Sequence, residues 1–158
     1  MSIAGILPYL ATFLETEITP DGDSGRGVHV PLIWGDAINV SKDVVFLNQI
    51  TGYDEIGRNN LYVGFNVSVV MRLYYQQIGQ GNAAKPYDIF SYMDSVITAL
   101  IRKPRFETGS TVLPGIIRPA ISSAEFPILL QYPVDNPQGI SYVGAEINLS
   151  IPIQVTGC

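Results

Sequence analysis

From Leu61 to Tyr75 the odd-numbered positions are apolar (Leu61, Val63, Phe65, Val67, Val69, Met71, Leu73, Tyr75), while Gly64, Asn66, Ser68, Arg72 and Gln76 fall between them. Successive side chains of a strand point to opposite faces, so the pattern predicts one long strand with a dry face and a wetter one. A slip of one residue would invert the faces, which makes the register well defined. The C-terminal stretch repeats the device, with Val143, Ala145, Ile147, Leu149, Ile151, Ile153 and Val155 alternating with Tyr142, Gly144, Glu146, Asn148, Ser150, Pro152 and Gln154. A third alternation runs from Ala120 to Tyr132, where Ala124, Phe126, Ile128, Leu130 and Tyr132 oppose Ser123, Glu125 and Gln131. Pro133 to Gly139 is rich in turn residues, so Ala120 to Val155 reads as a hairpin.

Two segments show helical spacing instead. Ile3, Ile6, Leu7, Leu10, Phe13, Leu14 and Ile18 recur every three or four residues, and proline is tolerated in a first helical turn, so a helix is predicted from Leu7 or Pro8 to Glu17. Between Pro86 and Arg102 the stripe is Ile89, Phe90, Met93, Val96, Ile97, Leu100 and Ile101, with Ser91, Tyr92, Asp94, Ser95 and Thr98 mostly on other faces. Either Asp88 caps this helix or Pro86 occupies its first position, and Pro104 ends it. The odd face of the central strand is expected to pack on Phe90, Met93, Ile97 and Leu100.

The remaining segments are connectors or short elements. Thr19 to Gly27 (TPDGDSGRG) is a flexible loop by composition. Val28 to Trp34, interrupted by Pro31, suggests an edge strand or a bend. Val44 to Ile50 fits a strand or a helical turn equally. Thr51 to Asn60 (TGYDEIGRNN) reads as a polar link, Gln76 to Lys85 as a projecting connection, and Thr108 to Pro119 as irregular. The whole is an α+β fold, a mostly antiparallel sheet with a long central strand and helices packed on one side, in a single domain over residues 1–158 with its core at about 28–158.

Hydrophobic residues make up 47% of the chain and charged ones only 15%, where about a quarter is usual. Too few charges remain to cover the surface, which points to apolar area hidden against other subunits; the alternative is a compact monomer with a Ser/Asn/Gln/Gly surface. Nine Lys plus Arg against fourteen Asp plus Glu give a net charge of -5, which disfavours tight phosphate-backbone binding. The basic cluster Arg102, Lys103 and Arg105 suits a helix C-terminus. The single cysteine, Cys158, excludes an intramolecular disulfide and a zinc cluster. Met1 to Leu14 lacks the basic start and cleavage pattern of a secretory signal, and no apolar run is long enough to span a bilayer, so no membrane partner is expected. The N-x-S triplets at Asn39, Asn66 and Asn148 are read as incidental.

Catalytic arrangements are hard to assemble from these residues. His29, between Val28 and Val30, reads as a structural strand histidine. Asp54 and Glu55 are adjacent acids in a polar segment, where solvation is the rule. Gly22, Gly25 and Gly27 do not follow a strand as a phosphate cradle would. Asp21 and Asp23 have the opening spacing of a calcium loop, but no Glu closes it. Tyr74, Tyr75, Tyr87 and Tyr92 lack interleaved cations and read as core or interface residues rather than a stacking platform. No catalytic residue, metal or cofactor is expected.

The order of elements is an amphipathic helix, a loop, short strands, the long strand Leu61 to Tyr75, an extended loop, the helix Pro86 to Arg102, and a closing hairpin. That layout resembles the tail terminator and tail-completion proteins of tailed bacteriophages. The closest local similarity is the long strand, an Ala/Asn/Gly loop, and then PYDIFSYMDSVITALIRKPRF. Leu113 to Pro119 and the loop Thr19 to Gly27 depart from that pattern. The resemblance implies a structural virion protein, present in the host cytoplasm during assembly, that forms a hexameric ring. The ring would cap the tail tube, meet the tube protein and the head-tail connector or neck, and let DNA pass through its lumen without specific binding. In that setting Asp21, Asp23, Arg26, Gln77, Gln80, Asn82 and Lys85, on the two loops, are the expected subunit or partner contacts. Two other classes remain open. One is another neck, tube or baseplate subunit; the other is a small enzyme or ligand-binding domain with its site on the polar sheet face around Tyr62, Asn66, Arg72 and Tyr74.

Overall fold

The computed structural model of the chain describes residues 3–18, 27–32, 40, 42–78, 86–103, 106, 120–132 and 139–156. After a 3-10 turn at Ile3–Gly5 come α1 (Ile6–Glu17), β1 (Gly27–His29), β2 (Asp43–Arg58), β3 (Tyr62–Gln77), α2 (Pro86–Arg102), β4 (Ala120–Tyr132) and β5 (Ile140–Thr156). The strands form one mixed sheet in the order β1-β2-β3-β5-β4, in which only the β1–β2 pairing is parallel. The fold is therefore α+β and mostly antiparallel, with the long strand β3 at the centre. The connections at residues 19–26, 79–85, 107–119 and 133–138 lie outside the described residues.

The odd positions of β3 face a core that both helices cover. Val67, Val69, Met71 and Leu73 pair across with Ile151, Leu149, Ile147 and Ala145 of β5, and all of them are buried. Ile6, Leu10, Phe13 and Leu14 of α1 join the same cluster, as do Ile89, Tyr92, Met93, Val96 and Leu100 of α2. Pro8 sits in the first turn of α1, where its missing N–H removes no helical bond. Lys103 Nζ lies 2.7 Å from Glu17 Oε1, joining the C-terminal ends of the two helices. Beyond α2, Phe106 adopts a left-handed φ of 52°, rare for a side chain of its size, and plugs against Phe13 at 5.4 Å between ring centroids.

Four expectations change. Residues 51–58 are not a link: β2 runs on to Arg58 and pairs with β3 as far as Val63. Their polar, non-alternating pattern reflects a strand with water on both sides, and two bulges, at Ile50/Gly52 and Glu55/Gly57, interrupt whatever period remains. Leu61 belongs to the turn and is exposed rather than opening the central strand. In β4 the bulge between Glu125 and Ile128, at Pro127, divides the apolar positions between faces. Ala124 and Phe126 pack on the helix side, whereas Ile128, Leu130 and Tyr132 join a smaller cluster with Val45, Leu47, Tyr74 and Tyr142 on the other. In α2, Tyr92 is buried against Tyr75 while Ile101 is exposed and Phe90 half-emerges beside Phe126, so the buried stripe is rotated toward Tyr92.

Gly144 is required by close approach. A Cβ there would collide with the Leu73 carbonyl oxygen and the Leu130 side chain, so the β3–β5 contact beside the Tyr74/Gln76 bulge closes only over glycine. Asn48 is the single buried polar residue among the described ones, and neither its Oδ1 nor its Nδ2 has a hydrogen-bond partner there.

Val67 is fully buried, so Val67→Asp is expected to yield no folded soluble protein, because an unpaired carboxylate is driven into an apolar core; a cooperative thermal transition in that variant would contradict the packing. At Asn48 the expectation is reversed. An unsatisfied buried polar group is destabilising by about 1–3 kcal/mol, so Asn48→Leu should raise the stability measured by urea unfolding.

Candidate interaction surface

β3 and α2 contain nearly the same number of residues, 16 and 17. A strand rises about 3.3 Å per residue and a helix about 1.5 Å, so β3 spans roughly 50 Å and α2 roughly 25 Å. The sheet must outrun its helical cover. It does so at the β2–β3 end, where residues 53–61 of the hairpin are all exposed. This arm is an extended exposed surface among the described residues.

Its geometry is set locally. Asn59 Oδ1 accepts the N–H groups of Leu61 (2.8 Å) and Tyr62 (2.9 Å), and the Asn59 N–H donates to the Tyr62 carbonyl, which closes the turn and thrusts Leu61 into solvent. Tyr53 stands edge-on to Phe65 with ring centroids 5.6 Å apart. Arg58 donates through Nε (3.1 Å) and a terminal nitrogen (3.0 Å) to the two carboxylate oxygens of Glu55. That fork holds the Glu55 carboxyl below the ordinary glutamate range, chiefly by hydrogen bonding. Ile56, the bulged residue, lies over Gly64, where an added Cβ would come within 3.2 Å of Ile56 Cγ1. Ile56, Gly57, Arg58, Asn59, Tyr62, Gly64 and Gln154 line a shallow depression of about 240 Å³.

On the sheet face away from the helices, polar groups pair across neighbouring strands. Arg72 Nε donates to Glu146 Oε2 at 3.2 Å, Ser150 Oγ to Asn66 Oδ1 at 2.7 Å, Asn148 Nδ2 to Ser123 Oγ at 2.9 Å, and the Tyr74 hydroxyl to the Gln131 carbonyl at 3.2 Å. At its lower end, burial raises the Tyr142 hydroxyl above the usual tyrosine range, with Tyr132 adding to the effect. Tyr62, Asn66, Arg72 and Tyr74 share this face but are not brought together, since twelve strand residues separate Tyr62 from Tyr74, about 40 Å. Tyr62 lines the depression, and Tyr74 is fully buried.

No protein-family model matches this chain, and no curated protein matches it.

Of the seven expected contact residues, Gln77 ends β3 and pairs with Tyr142, half-buried. Asp21, Asp23, Arg26, Gln80, Asn82 and Lys85 lie outside the described residues. His29 is an exposed residue of β1, and Asp54 and Glu55 lie on the exposed arm. Tyr74, Tyr75 and Tyr92 are core residues; the Tyr87 side chain is outside the described set. Of the basic cluster, Lys103 is paired with Glu17, Arg102 is exposed and Arg105 lies outside the described residues. Among the described residues no three His, Cys, Asp or Glu side chains gather as metal ligands would, and no helix is long and apolar enough to cross a membrane. Sequence reading missed the arm itself. Its signal was the presence of Tyr53, Ile56 and Leu61, large apolar residues embedded in a polar run.

Because the Glu55–Arg58 contact requires the carboxylate, it is present above the ordinary glutamate range and is lost as pH falls through the lowered pKa. Titration of the Glu55 side chain by NMR should give a midpoint below that of an unpaired glutamate, and Arg58→Gln should return it to the ordinary value.

Proposed function

We propose that this chain is a structural subunit of a tailed-bacteriophage virion, assembling into a ring that terminates the tail tube and joins it to the head or neck. The observation that carries this reading is the arm: a hairpin outrunning its helices and displaying Tyr53, Ile56 and Leu61 to solvent. Exposed apolar residues grouped on a projecting element mark a contact surface. The tail-terminator-like layout of a long central strand, a following helix and a closing hairpin supports the same assignment, as does the low charge content, because lateral subunit contacts bury apolar area. A net charge of -5 suits the wall of a conduit through which DNA passes without being held. In this role the chain binds its own copies, the tube protein and a connector or neck protein, and performs no chemistry.

Light scattering on the purified protein, with negative-stain imaging, tests the proposal. The expected result is a hexameric ring, or a monomer that forms such rings on concentration. A particle that stays monomeric at high concentration, alone and with tube protein added, would overturn it.

A further inference from the structure

Among the described residues ten large apolar side chains are exposed, and six of them fall at two opposite ends of the sheet. Tyr53, Ile56 and Leu61 are on the arm. Ile78, Leu129 and Ile140 are at the other end, where β3 finishes, β5 begins and β4 approaches its last residue. The two most exposed of all ten, Leu61 (74%) and Leu129 (72%), are divided between the ends. Charge follows the same polarity. Asp54, exposed on the arm, and Lys42, exposed at the opposite end just before β2, have no ionic partner among the described residues. Asp43, beside Lys42, turns its carboxylate toward Gly27 of β1, and Glu55 is already held by Arg58.

We propose that the arm of one copy docks on the Ile78–Leu129–Ile140 end of a second copy, with Asp54 facing Lys42 across the junction. The proposal rests on the ring reading above and names the two surfaces that build it. The ends lie roughly 50 Å apart along β3, so no single contact covers both. An isologous arm-to-arm contact would leave the other apolar end uncovered and Lys42 without Asp54. A head-to-tail contact covers both ends and pairs opposite charges. Such a contact is heterologous: each addition leaves one free arm and one free base, and the assembly closes as a ring where the rotation between neighbours brings the last arm onto the first base.

Two variants test the junction. In the arm variant, Ile56→Asp and Leu61→Asp disable the arm; in the base variant, Leu129→Asp and Ile140→Asp disable the other end. All four sites are exposed, and circular dichroism checks that both variants fold. Each alone should be monomeric by light scattering. Their mixture should form dimers and stop there, because only one intact arm meets one intact base. A base variant that assembles like the wild type, or a mixture that stays monomeric while the wild type forms rings, overturns the head-to-tail contact and leaves the ring reading standing. A wild type that never self-associates overturns the ring reading itself. Charge reversal gives a test that does not disturb the apolar contact. Asp54→Lys or Lys42→Asp alone should raise the dissociation constant several-fold at low salt, and the two together in one chain should restore it. Failure to restore overturns the Asp54–Lys42 pairing.

Discussion

The structure depends on β3 being hydrogen-bonded along both of its sides. Its neighbours β2 and β5 run antiparallel to it over nearly its full length, and their registers place Phe46 beside Leu73 and Ile147 beside Met71 on the same face. Alternation then sends every second residue of three adjacent strands to the helix side. That common apolar surface is what α1 and α2 cover. The helices are thus consequences of the ladder: α1 lies over β1 and β2, α2 lies toward β4, and the Lys103–Glu17 ion pair joins their ends. Glu15 adds a link of its own, accepting the Val30 N–H at 3.0 Å just past β1, before Pro31.

A second constraint is the difference in rise between strand and helix. Elements of equal residue count differ about twofold in length, so one layer of helices cannot cover strands of 16 and 17 residues. The chain resolves the mismatch by making the uncovered end of β2 polar and bulged. Bulges and intramolecular pairs such as Glu55–Arg58 blunt an arm that would otherwise be a long flat edge. Yet Tyr53, Ile56 and Leu61 are left in solvent there. Tyr53 packs edge-on to Phe65 and Ile56 lies over Gly64, yet each keeps more than half of its surface exposed, and that exposure is what the proposed contact role rests on. On the sheet face away from the helices the Arg72–Glu146, Asn66–Ser150 and Asn148–Ser123 contacts tie neighbouring strands together.

What the sequence by itself determined is the set of elements governed by strict local period. β3, β5 and α2 carry a strand or helix period because one face of each is buried over most of its length, and α1 carries the stripe with its proline in the first turn. Those features also dictated the helix-covered face and the main core beneath it, but not the smaller cluster on the other face. Tertiary structure alone decided the rest. Whether Val44 to Ile50 is strand or helix, and whether residues 51–58 are strand or link, depends on the ladder that β3 offers them, a partner distant in sequence and invisible to local period. The bulge at Pro127 switches β4 from one face to the other, and no count of apolar positions reveals a switch made by the neighbour's register. Tyr92 is buried rather than exposed because Tyr75 is there to receive it. The arm, and with it the candidate surface, exists because two elements of equal count differ in physical length, a fact of packing that appears only when strand and helix are laid side by side.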